Sequence, residues 1–461
     1  MRKDYDVVII GAGAAGVFMA YEFVTLKTNA KVCMIDSGRA IAKRICPIDG
    51  KKIKSCVGCK PCSIMHGFGG AGGLSDGKYN ITNSFGGDLY QHVGAKEAIE
   101  LMEYVDSVNL RMGGGDAKLY STVSSDVKSE ALKYDLHLLD AKVRHLGTDR
   151  NRDILQNIYD YVRNDIDIIF ETVAETVEKD GDGYIVRTNE DDIYCRQVVI
   201  AAGRSGSKWI SGVCDKFGIK TRSNRVDIGV RVELPAAVFE HITKQVYESK
   251  IVYRTKKYGD LVRTFCMNPY GEVVAENTNG IVTVNGHSYS NPELHTENTN
   301  FALLVSNNFS EPFKDSNAYG ESIARLSNML GGGILVQRFG DLIAGRRTNE
   351  HRFSQIFLNP TLKATPGDLS LVIPKRQLDD IIEMIYALDK IAPGTANDDT
   401  LLYGVEVKFY NSVVPVDNNL ETESKGMYVL GDGSGVTHSL SQASASGVYA
   451  ARIIDGLYKG N

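Results

Sequence analysis

Residues 6–16, Asp6-Val-Val-Ile-Ile-Gly-Ala-Gly-Ala-Ala-Gly16, decide the fold of this chain. The apolar run Val7–Ile10 predicts a strand that is buried on both faces, because no polar residue interrupts it. An apolar helical pattern follows from about residue 14 to residue 26, and residues 31–35 predict a second strand. The N-terminal region is therefore expected to form a β-α-β unit with parallel strands.

Three glycines and one acid give this unit its chemistry. Gly11, Gly13 and Gly16 stand at the G-x-G-x-x-G spacing, and Asp36 ends the second strand twenty residues after Gly16. Gly11 permits a tight turn, Gly13 lets a pyrophosphate approach the backbone, and Gly16 lets the helix pack against the strand. The helix N-terminus offers N–H groups to a phosphate, while Asp36 is placed to accept from the ribose hydroxyls of an adenosine. The pattern predicts a dinucleotide site.

A secretory signal peptide is the alternative for this apolar start, since Arg2 and Lys3 precede it. Asp4 and Asp6 lie against the apolar stretch, however, and a strand pattern follows it directly. The dinucleotide site is therefore favoured, and without a secretory signal the protein is expected in the cytoplasm.

Composition and charge limit the kinds of molecule that this protein is expected to bind. The chain has 461 residues, of which 43% are hydrophobic and 24% charged, which suffices for two domains with ample cores. A net charge of −5 without a long basic run argues against binding to nucleic acid or to an anionic membrane surface. No uncharged apolar stretch reaches the roughly 18 residues that a membrane-spanning helix needs. We expect a small-molecule substrate, and the oligomeric state is not encoded in these features.

The middle of the chain has a different pattern. Residues 166–188 contain a strand and a hairpin signal, and residues 197–201 predict another parallel strand. Between residues 226 and 308, several segments alternate polar and apolar residues, which predicts an antiparallel sheet. Two helical segments follow, at about residues 319–330 and 375–391.

The C-terminal region predicts a second ligand-binding turn. Residues 426–435, Gly-Met-Tyr-Val-Leu-Gly-Asp-Gly-Ser-Gly, indicate a buried strand that runs into a glycine turn, and residues 439–457 a helix rich in small residues. The strand delivers Asp432 to the sheet edge at which ligands bind in open α/β folds, where it can accept from a sugar-alcohol hydroxyl. A role for Asp432 as a simple helix cap is the alternative.

These regions together resemble the two-domain FAD-dependent oxidoreductases of the glutathione-reductase type. That family combines an N-terminal G-x-G-x-x-G and a distal acid with an internal strand ending in Ala/Thr-Gly and a C-terminal Gly-Asp motif. Here these are Gly11 to Gly16 with Asp36, Ala201-Ala202-Gly203 and Gly431-Asp432. The resemblance implies an α/β fold, with a Rossmann-like, three-layer βαβ FAD-binding domain and an inserted antiparallel-sheet substrate domain.

The same resemblance implies where FAD would lie. Asp36 would hold the adenosine ribose and Asp432 the ribitol, and the helix after Gly435 would point its positive end at the flavin and favour the anionic reduced form. The further expected FAD contacts are Gly11, Gly13, Ala14, Ala15, Gly16, Ser37, Arg44, Gly72, Gly73, Leu74, Ser75, Val173, Ala201, Ala202, Gly203, Gly431, Gly435, Val436 and Thr437.

The implied layout interrupts the FAD-binding domain twice. Its three parts are residues 1–110, which include a Cys- and Gly-rich insertion at 37–83, residues 151–225 and residues 396–461. An irregular or helical insertion occupies 111–150, and the substrate domain 226–395. The substrate domain is similar to that of flavin hydroxylases, amine oxidases and prenyl reductases. Electrons are therefore expected from the substrate, from transiently docked NAD(P)H or from a ferredoxin-like partner.

The unusual segments resemble a narrower bacterial family, the uncharacterised FAD-dependent dehydrogenases with a Cys-rich insertion. The similar segments are Cys46-Pro47, the run Cys56, Cys59 and Cys62, and residues 69–78, 145–149, 263–267 and 284–288. The chain departs from that family after Cys266, where Asn268 stands in place of a second cysteine. This departure puts a redox role for Cys266 in doubt, and the family name gives no substrate.

Four of the eight cysteines lie close together, at Cys46, Cys56, Cys59 and Cys62. In a cytosolic protein such a cluster indicates metal binding or redox chemistry rather than structural disulfides. The C-x2-C-x2-C run is similar to that of ferredoxins, and it predicts a [4Fe-4S] cluster on these four cysteines, although Cys46-Pro47 lies upstream. A zinc site is an alternative, but zinc sites usually have a second C-x2-C pair, which this cluster lacks. Redox or structural thiols are another alternative.

His438 is the candidate catalytic residue, because it follows the Gly-Asp motif near the expected flavin and could donate a proton. Capping of the last helix is its alternative role. We predict an FAD-dependent dehydrogenase or reductase that transfers hydride or electrons between flavin and a small organic substrate, by C=C reduction or dehydrogenation. A flavin monooxygenase, or a non-catalytic electron carrier or redox sensor that docks a partner protein, is the alternative. The sequence specifies neither the substrate nor the direction of the reaction.

Overall fold

The structure is a computed structural model that describes residues 3–47, 57, 59–123, 125–246, 248–278, 280–289, 291–309, 312–313 and 315–459. The strands are β1 (Lys3–Ile10), β2 (Val32–Ile35), β3 (Lys78–Ile81), β4 (Leu119–Ser121), β5 (Leu136–Leu138), β6 (Lys142–His145), β7 (Asp167–Ile169), β8 (Ala174–Asp180), β9 (Gly183–Thr188), β10 (Ile193–Ile200), β11 (Val226–Pro235), β12 (Ile251–Arg254), β13 (Leu261–Asn268), β14 (Glu272–Thr278), β15 (Ile281–His287), β16 (Asn298–Asn307), β17 (Leu335–Arg338), β18 (Thr365–Pro366), β19 (Leu401–Lys408) and β20 (Met427–Val429). The helices are α1 (Ala14–Leu26), α2 (Tyr90–Val93), α3 (Ala95–Asn109), α4 (Asp126–Leu132), α5 (Thr148–Val162), α6 (Ser207–Lys216), α7 (Ala236–Thr243), α8 (Ser316–Gly331), α9 (Phe339–Ile343), α10 (Glu350–Phe353), α11 (Lys375–Leu388) and α12 (Leu440–Gly456).

The chain divides into two units. The first unit combines residues 1–119, 142–222 and 410–461, and the second combines residues 120–141 and 223–409. The second unit therefore consists of two insertions, each of which lies between two stretches of the first unit. The domain boundaries expected from the sequence, at residues 110, 150, 225 and 395, stay predictions.

A mostly parallel sheet forms the centre of the first unit. Its strand order is β7-β2-β1-β10-β9-β8, and β20 also pairs with β10. The pairs β1–β2, β1–β10, β2–β7 and β10–β20 are parallel, while β9 runs antiparallel to both β10 and β8. The predicted β-α-β unit is present as β1, α1 and β2, and the predicted hairpin is present as β8 and β9.

Strand β1 is buried on both faces, as its uninterrupted apolar sequence predicts. Val7 and Ile9 belong to one apolar core, and Val8 and Ile10 belong to another. Since successive side chains of a strand point to opposite faces, the sheet has a packed layer on each side. This arrangement gives the α/β fold that the sequence predicts.

Helices α1 and α12 pack closely because small residues face each other. A methyl group at Gly447 would overlap the carbonyl oxygen of Ala15. Ala445, Ala450 and Ala451 are fully buried in the same core as α1. The small-residue composition of the last helix thus has the close-packing role expected from the sequence, since backbones approach only where side chains are short.

The second unit is built on a sheet with the strand order β18-β17-β19-β11-β16-β13-β12-β5. Its central pairs β11–β16, β11–β19 and β13–β16 are antiparallel, as predicted. Strands β17 and β19 were not predicted. In β19, seven of eight residues are buried, so its sequence does not alternate between apolar and polar residues as a half-exposed strand would.

Among the described residues, no helix is both long and apolar enough to cross a membrane.

Asp380, on the first half of α11, is fully buried in the second unit. Burial raises the pKa of its carboxyl to about 6, and the neighbouring Asp260 adds to this rise. Because the folded pKa lies above the ordinary value of about 3.9, protonation favours the folded state. The stability from this group is complete below pH 4 and is lost as the pH rises through 6.

We predict that Asp380→Asn raises the free energy of unfolding at pH 8 by up to about 2 kcal/mol and changes it little below pH 4. Chemical denaturation across this pH range measures the difference. Asp379→Asn is the matched control. Burial opposes ionisation of Asp379, but its hydrogen bond with Lys257 prevails and lowers its pKa to about 2, so this variant should be less stable at pH 8. A loss of stability in Asp380→Asn at pH 8 would contradict the assignment.

Candidate functional site

The first glycine turn has the geometry of a phosphate-binding site. Gly11 has φ +109°, and a Cβ there would lie 2.5 Å from the carbonyl oxygen of Ala201. A Cβ at Gly16 would overlap the carbonyl oxygen of Gly11. Helix α1 begins directly after Gly13, no side chain caps it, and its first turn carries no acid. Its N-terminal N–H groups and positive dipole end are thus compatible with an anion at this turn.

Asp36 connects three parts of the chain at the end of β2. Its carboxylate accepts from the backbone N–H groups of Ala12 at 2.8 Å, Gly38 at 2.7 Å and Gly67 at 2.8 Å. An ionised carboxylate has about four acceptor positions, so these bonds leave room for about one more. The predicted contact with a ribose hydroxyl is compatible with this geometry. The sequence did not indicate the structural role, because the partners of Asp36 are backbone groups.

The glycine-rich loop lies directly against the first glycine turn. The N–H of Gly69 donates to the carbonyl oxygen of Ala12 at 2.7 Å, and a Cβ at Gly70 would lie 2.8 Å from the Cα of Gly13. At Gly72, a Cβ would overlap the side chain of Leu440, the first residue of α12. The loop therefore passes between the N-termini of α1 and α12, the helix ends at which the dinucleotide is expected.

The expected loop contacts Gly72, Gly73, Leu74 and Ser75 lie in and just after a short 3-10 helix, Gly70–Leu74. The hydroxyl of Ser75 donates to the carbonyl oxygen of Gly72 at 2.7 Å. The amide of Asn151 also donates to that oxygen, at 2.9 Å. The loop is therefore held by its own hydrogen bonds, and its contact with a cofactor stays a prediction.

Arg44 is buried and bonded to backbone carbonyls. Its guanidinium donates to Ser63 at 3.0 Å, to Phe68 and Ile64 at 2.7 Å, and to Gly70 at 2.8 Å. Burial lowers its pKa to about 10, still far above neutrality, so the group is charged. The described contacts give Arg44 a role in holding the glycine loop, and a direct contact with FAD stays a prediction.

Ser37 and Val173 also lie near the end of β2. The hydroxyl of Ser37 is 2.8 Å from Nδ1 of His66. The N–H of Val173 donates to the side chain of Asn189 at 2.6 Å, and the preceding Thr172 donates its N–H to the carbonyl oxygen of Asp36 at 3.0 Å. Val173 is half exposed, as a residue that contacts an adenine could be, and that contact stays a prediction.

The internal and C-terminal turns lie at neighbouring positions of the same sheet edge, because β10 pairs with both β1 and β20. Ala201 donates its N–H to the carbonyl oxygen of Ile10 at 2.8 Å. Gly203 has φ +61° and nothing within 4 Å of a built Cβ. Gly431 has φ +66°, and a Cβ built there would lie 3.0 Å from the methyl group of Ala15. The structure thus brings the three predicted glycine motifs together.

Asp432 pairs with two side chains in this structure. It accepts from Nε of Arg204 at 2.7 Å and lies 3.2 Å from Nδ1 of His438. Burial alone would raise the pKa of Asp432, but the Arg204 guanidinium and the hydrogen bond with His438 outweigh it and lower this pKa. The carboxylate is therefore ionised at neutral pH. The sequence did not indicate Arg204, and the predicted contact of Asp432 with the ribitol stays a prediction.

His438 is held in a defined position. Since an ionised carboxylate only accepts, we assign the proton to Nδ1, which donates to Asp432. The ring of Tyr410 packs edge-on against the imidazole at 4.7 Å between centroids. The backbone N–H of His438 also donates to the carbonyl oxygen of Gly86 at 2.8 Å. These three contacts fix the ring and direct Nε2 away from Asp432, which a proton donor requires.

The segment before α12 pairs with a stretch that the sequence did not indicate. Gly87 forms a β-bridge with Thr437, and Asp88 donates its N–H to the carbonyl oxygen of Val436 at 2.7 Å. A Cβ at Gly435, which has φ +71°, would lie 2.5 Å from the carbonyl oxygen of Ser412. Helix α12 differs from α1 because Ser439 caps it, accepting from the N–H of Gln442 at 3.2 Å. The expected action of its positive end on a flavin stays a prediction.

The residues of the first unit fit a dinucleotide such as FAD. N-cap Gly13 makes no side-chain cap for α1, and a Cβ built at Gly13 would meet one described atom, at 3.8 Å, so the side of Gly13 away from Gly70 is open. Thr437 has a buried hydroxyl oxygen that finds no hydrogen-bond partner among the described residues. An unsatisfied buried hydroxyl is costly unless a bound group completes it.

The predicted metal ligands are only partly described. Cys59 is exposed, and Cys46 and Cys62 are half buried. None of the three forms a disulfide with another described cysteine, and Cys56 lies outside the described residues. Within the described part of the chain, no three His, Cys, Asp or Glu side chains lie together as a metal site would require. The [4Fe-4S] cluster and zinc therefore stay predictions.

Comparison with known families gives one match. Residues 225–409, less than half of the chain, match the family described as FAD-dependent protein, C-terminal domain-like. This match supports two predictions from the sequence, the FAD cofactor and the assignment as an FAD-dependent oxidoreductase enzyme. The match supports neither the predicted membership of the glutathione-reductase type nor the predicted similarity to a family with a Cys-rich insertion. No curated protein matches the sequence.

Three solved structures illustrate the structural similarity. Glycine oxidase from Geobacillus kaustophilus is 10% identical with a TM-score of 0.41, over 98% of this chain and 95% of that chain. A geranylgeranyl bacteriochlorophyll reductase-like protein from Thermoplasma acidophilum is 12% identical with a TM-score of 0.39, over 100% and 80%. NikD, an unusual amino acid oxidase, is 12% identical with a TM-score of 0.42, over 98% and 94%. Similarity at this level carries no information on the substrate.

We predict that Gly70→Ala weakens FAD binding at least 10-fold, because the new methyl group would press on Gly13 and the site has φ +57°. Equilibrium titration of the apoprotein with FAD, followed by flavin fluorescence, measures the change. Gly212→Ala is the control. Gly212 lies exposed in α6 with open space around it, so that variant should bind FAD normally and gain up to about 1 kcal/mol of stability. Equal FAD affinity of both variants would contradict the placement.

Proposed function

We propose that this protein is an FAD-dependent oxidoreductase that transfers a hydride or electron pair between FAD and a small organic substrate. The reaction would be reduction of a C=C bond or the reverse dehydrogenation. The observation that carries the proposal is the convergence, in one unit, of two glycine turns, the Asp36 carboxylate and the Asp432–His438 pair at one sheet edge. The match of residues 225–409 to a family of FAD-dependent proteins supports it independently.

In this proposal the first unit binds FAD through backbone groups and two carboxylates. The N-terminus of α1 holds the pyrophosphate, because its N–H groups have no side-chain cap. Asp36 uses its remaining acceptor position for an adenosine ribose hydroxyl. Asp432 lies at the ribitol end, where its bond with Arg204 yields to or coexists with a ribitol hydroxyl.

His438 is the proposed proton donor. FAD, when bound, supplies the acceptor or donor of the hydride. In the direction of C=C reduction, His438 delivers a proton from Nε2 to the substrate carbon, and in dehydrogenation it accepts one there. The Asp432 carboxylate holds Nδ1, so Nε2 is the nitrogen that exchanges the proton. The second unit is the proposed substrate domain.

Two finer assignments belong to the same proposal. The electrons come from the substrate, from docked NAD(P)H or from a ferredoxin-like partner. The cysteines Cys46, Cys56, Cys59 and Cys62 bind a [4Fe-4S] cluster, with zinc or redox thiols as the alternatives. Metal and sulfide analysis of anaerobically purified protein distinguishes these three.

The test uses anaerobic protein reconstituted with FAD, reduced with dithionite and mixed with a panel of small enones and enoates. We predict reoxidation of the flavin by a member of the panel, and a 10²- to 10⁴-fold slower reoxidation in His438→Gln. FAD affinity of this variant should stay within about threefold. His241→Gln, whose ring lies against the carbonyl oxygen of Ile391 in the second unit, should react normally.

Each other outcome has a defined meaning. Protein that binds no FAD would contradict the proposal as a whole. Reoxidation only by oxygen, with rapid oxygen consumption, would indicate a monooxygenase instead. Reoxidation only by an added protein partner would indicate an electron carrier. Equal rates in His438→Gln and the unmodified protein would remove His438 from the mechanism.

A further inference from the structure

The sheet of the second unit has one apolar and one polar face. The apolar face belongs to a core that includes the β11 residues Val226, Ile228, Val230 and Val232. Since successive side chains of a strand point to opposite faces, Asp227, Arg231 and Glu233 of β11 lie on the other face. These three side chains are fully buried, and so is Glu406 of β19. Burial of charged groups is costly, and a sheet face that concentrates them is typical of a binding site rather than of a core.

Part of this polar face is covered. Arg231 donates to Oδ1 of Asn300 at 2.7 and 2.9 Å and to the carbonyl oxygen of Cys266 at 2.7 Å. A Cβ at Gly286 would overlap the guanidinium, so β15 covers Arg231. Because Oδ1 of Asn300 accepts from Arg231, its Nδ2 is the donor, and this buried atom finds no hydrogen-bond partner among the described residues. An acceptor such as a carboxylate oxygen would satisfy it.

Three cationic side chains converge on the ring of Phe265. This ring lies on the polar face, because Phe265 pairs with Ala302 and Ala302 pairs with Arg231. The distances from its centroid are 4.9 Å for Nζ of Lys250, 4.8 Å for the guanidinium carbon of Arg263 and 5.6 Å for Nζ of Lys408. Cations at such distances interact with the π-system of the ring. Positive charge is therefore concentrated at Phe265, which is half buried.

Lys408 reaches this ring across two strands. It lies on β19, and β11 and β16 separate β19 from β13 in the sheet. Small residues leave room for its stem, since Gly229 of β11 and Ala302 of β16 carry no long side chain on this face. Only 14% of the side chain of Lys408 is exposed, and its ammonium lies 3.0 Å from Glu406. The ammonium is thus directed along the sheet face towards Phe265.

The electrostatics at the ring favour an anion. Glu248 lies 3.7 Å from Lys250, and Asp227 pairs with Arg263, so each cation has a carboxylate partner. These carboxylates come from different segments, whereas the cations meet at one ring. Like charges that converge repel one another, and burial weakens the screening by water. An anion at Phe265 would contact several cations at once and offset this repulsion.

We propose that the Phe265 cluster, which consists of Phe265, Lys250, Arg263 and Lys408, binds the carboxylate of the substrate, and that the substrate is a planar, conjugated carboxylic acid. The flat π-system of such an acid packs on Phe265, while its carboxylate accepts from the cations. The buried Nδ2 of Asn300 supplies a further donor on the same face. This inference rests on the proposed function, since it names the substrate class for the proposed reduction or formation of a C=C bond.

The test measures equilibrium binding to the FAD-reconstituted protein by isothermal titration calorimetry. Cinnamate and cinnamamide are the probes, because they have the same conjugated skeleton and differ in charge at neutral pH. We expect cinnamate to bind at least about 10-fold more tightly than cinnamamide, since only the acid forms charge-assisted hydrogen bonds with the cluster.

Substitutions test the cluster residue by residue. Lys408→Gln and Lys250→Gln should each reduce the preference for the acid about 3- to 10-fold, and Lys250→Arg should retain most of it. Phe265→Leu should weaken both probes alike, because it removes the aromatic packing surface. Lys256→Gln is the matched control, because Lys256 is exposed and lies 3.6 Å from Asp135, and its preference should be unchanged.

The outcomes distinguish this inference from the function on which it rests. Equal affinity for the two probes, or a preference that neither lysine variant changes, would overturn the anion site. The comparison on the unmodified protein decides this even if a variant does not fold. Selective binding of cinnamate by protein whose reduced flavin reacts with no enone or enoate would support the anion site and contradict the proposed reaction. Protein that binds no FAD would contradict the proposed function as a whole, and the same titrations of the protein as purified would still decide the anion site.

Discussion

The carboxylate of Asp36 is the interaction on which the candidate site depends. It accepts hydrogen bonds from the N–H groups of Ala12 in the first glycine turn, of Gly38 two residues further along the chain, and of Gly67 in the glycine-rich loop. Each of these N–H groups would otherwise lack a partner in a partly buried place, which costs about 1–3 kcal/mol per group. A single acid thus fixes the turn, the strand end and the loop relative to one another.

Arg44 complements this acid. In the loop between residues 63 and 70, Asp36 accepts a hydrogen bond from a backbone N–H group, and Arg44 donates hydrogen bonds to backbone carbonyl oxygens. Both the donors and the acceptors of this backbone therefore help to fix the loop. The second glycine turn is organised differently, by side chains, through the contacts of Asp432 with Arg204 and His438. The first turn is therefore suited to rigid binding of a dinucleotide, and the second carries the groups that can move a proton.

The sequence predicts the fold well where local pattern and tertiary structure agree. The run Val7–Ile10, the helix α1 and the strand β20 have patterns that only one kind of element satisfies, and the structure confirms them. Strand β19 was missed because burial on both faces removes its alternation. The sequence could not predict which carbonyls Arg44 binds, or that Asp432 pairs with Arg204. Contacts between groups that are distant along the chain leave no periodic pattern in the sequence. The alternating pattern of residues 226–308 predicts an antiparallel sheet, and the family match of residues 225–409 adds the association with FAD.

The most direct measurement of the central claim is a crystal structure of the protein with FAD bound. We predict the pyrophosphate at the N-terminus of α1 beside Gly13, and an adenosine ribose hydroxyl within hydrogen-bond distance of Asp36. We also predict that Asp36 keeps its three backbone N–H donors in the complex. FAD bound elsewhere, or an adenosine that leaves the Asp36 carboxylate untouched, would contradict it.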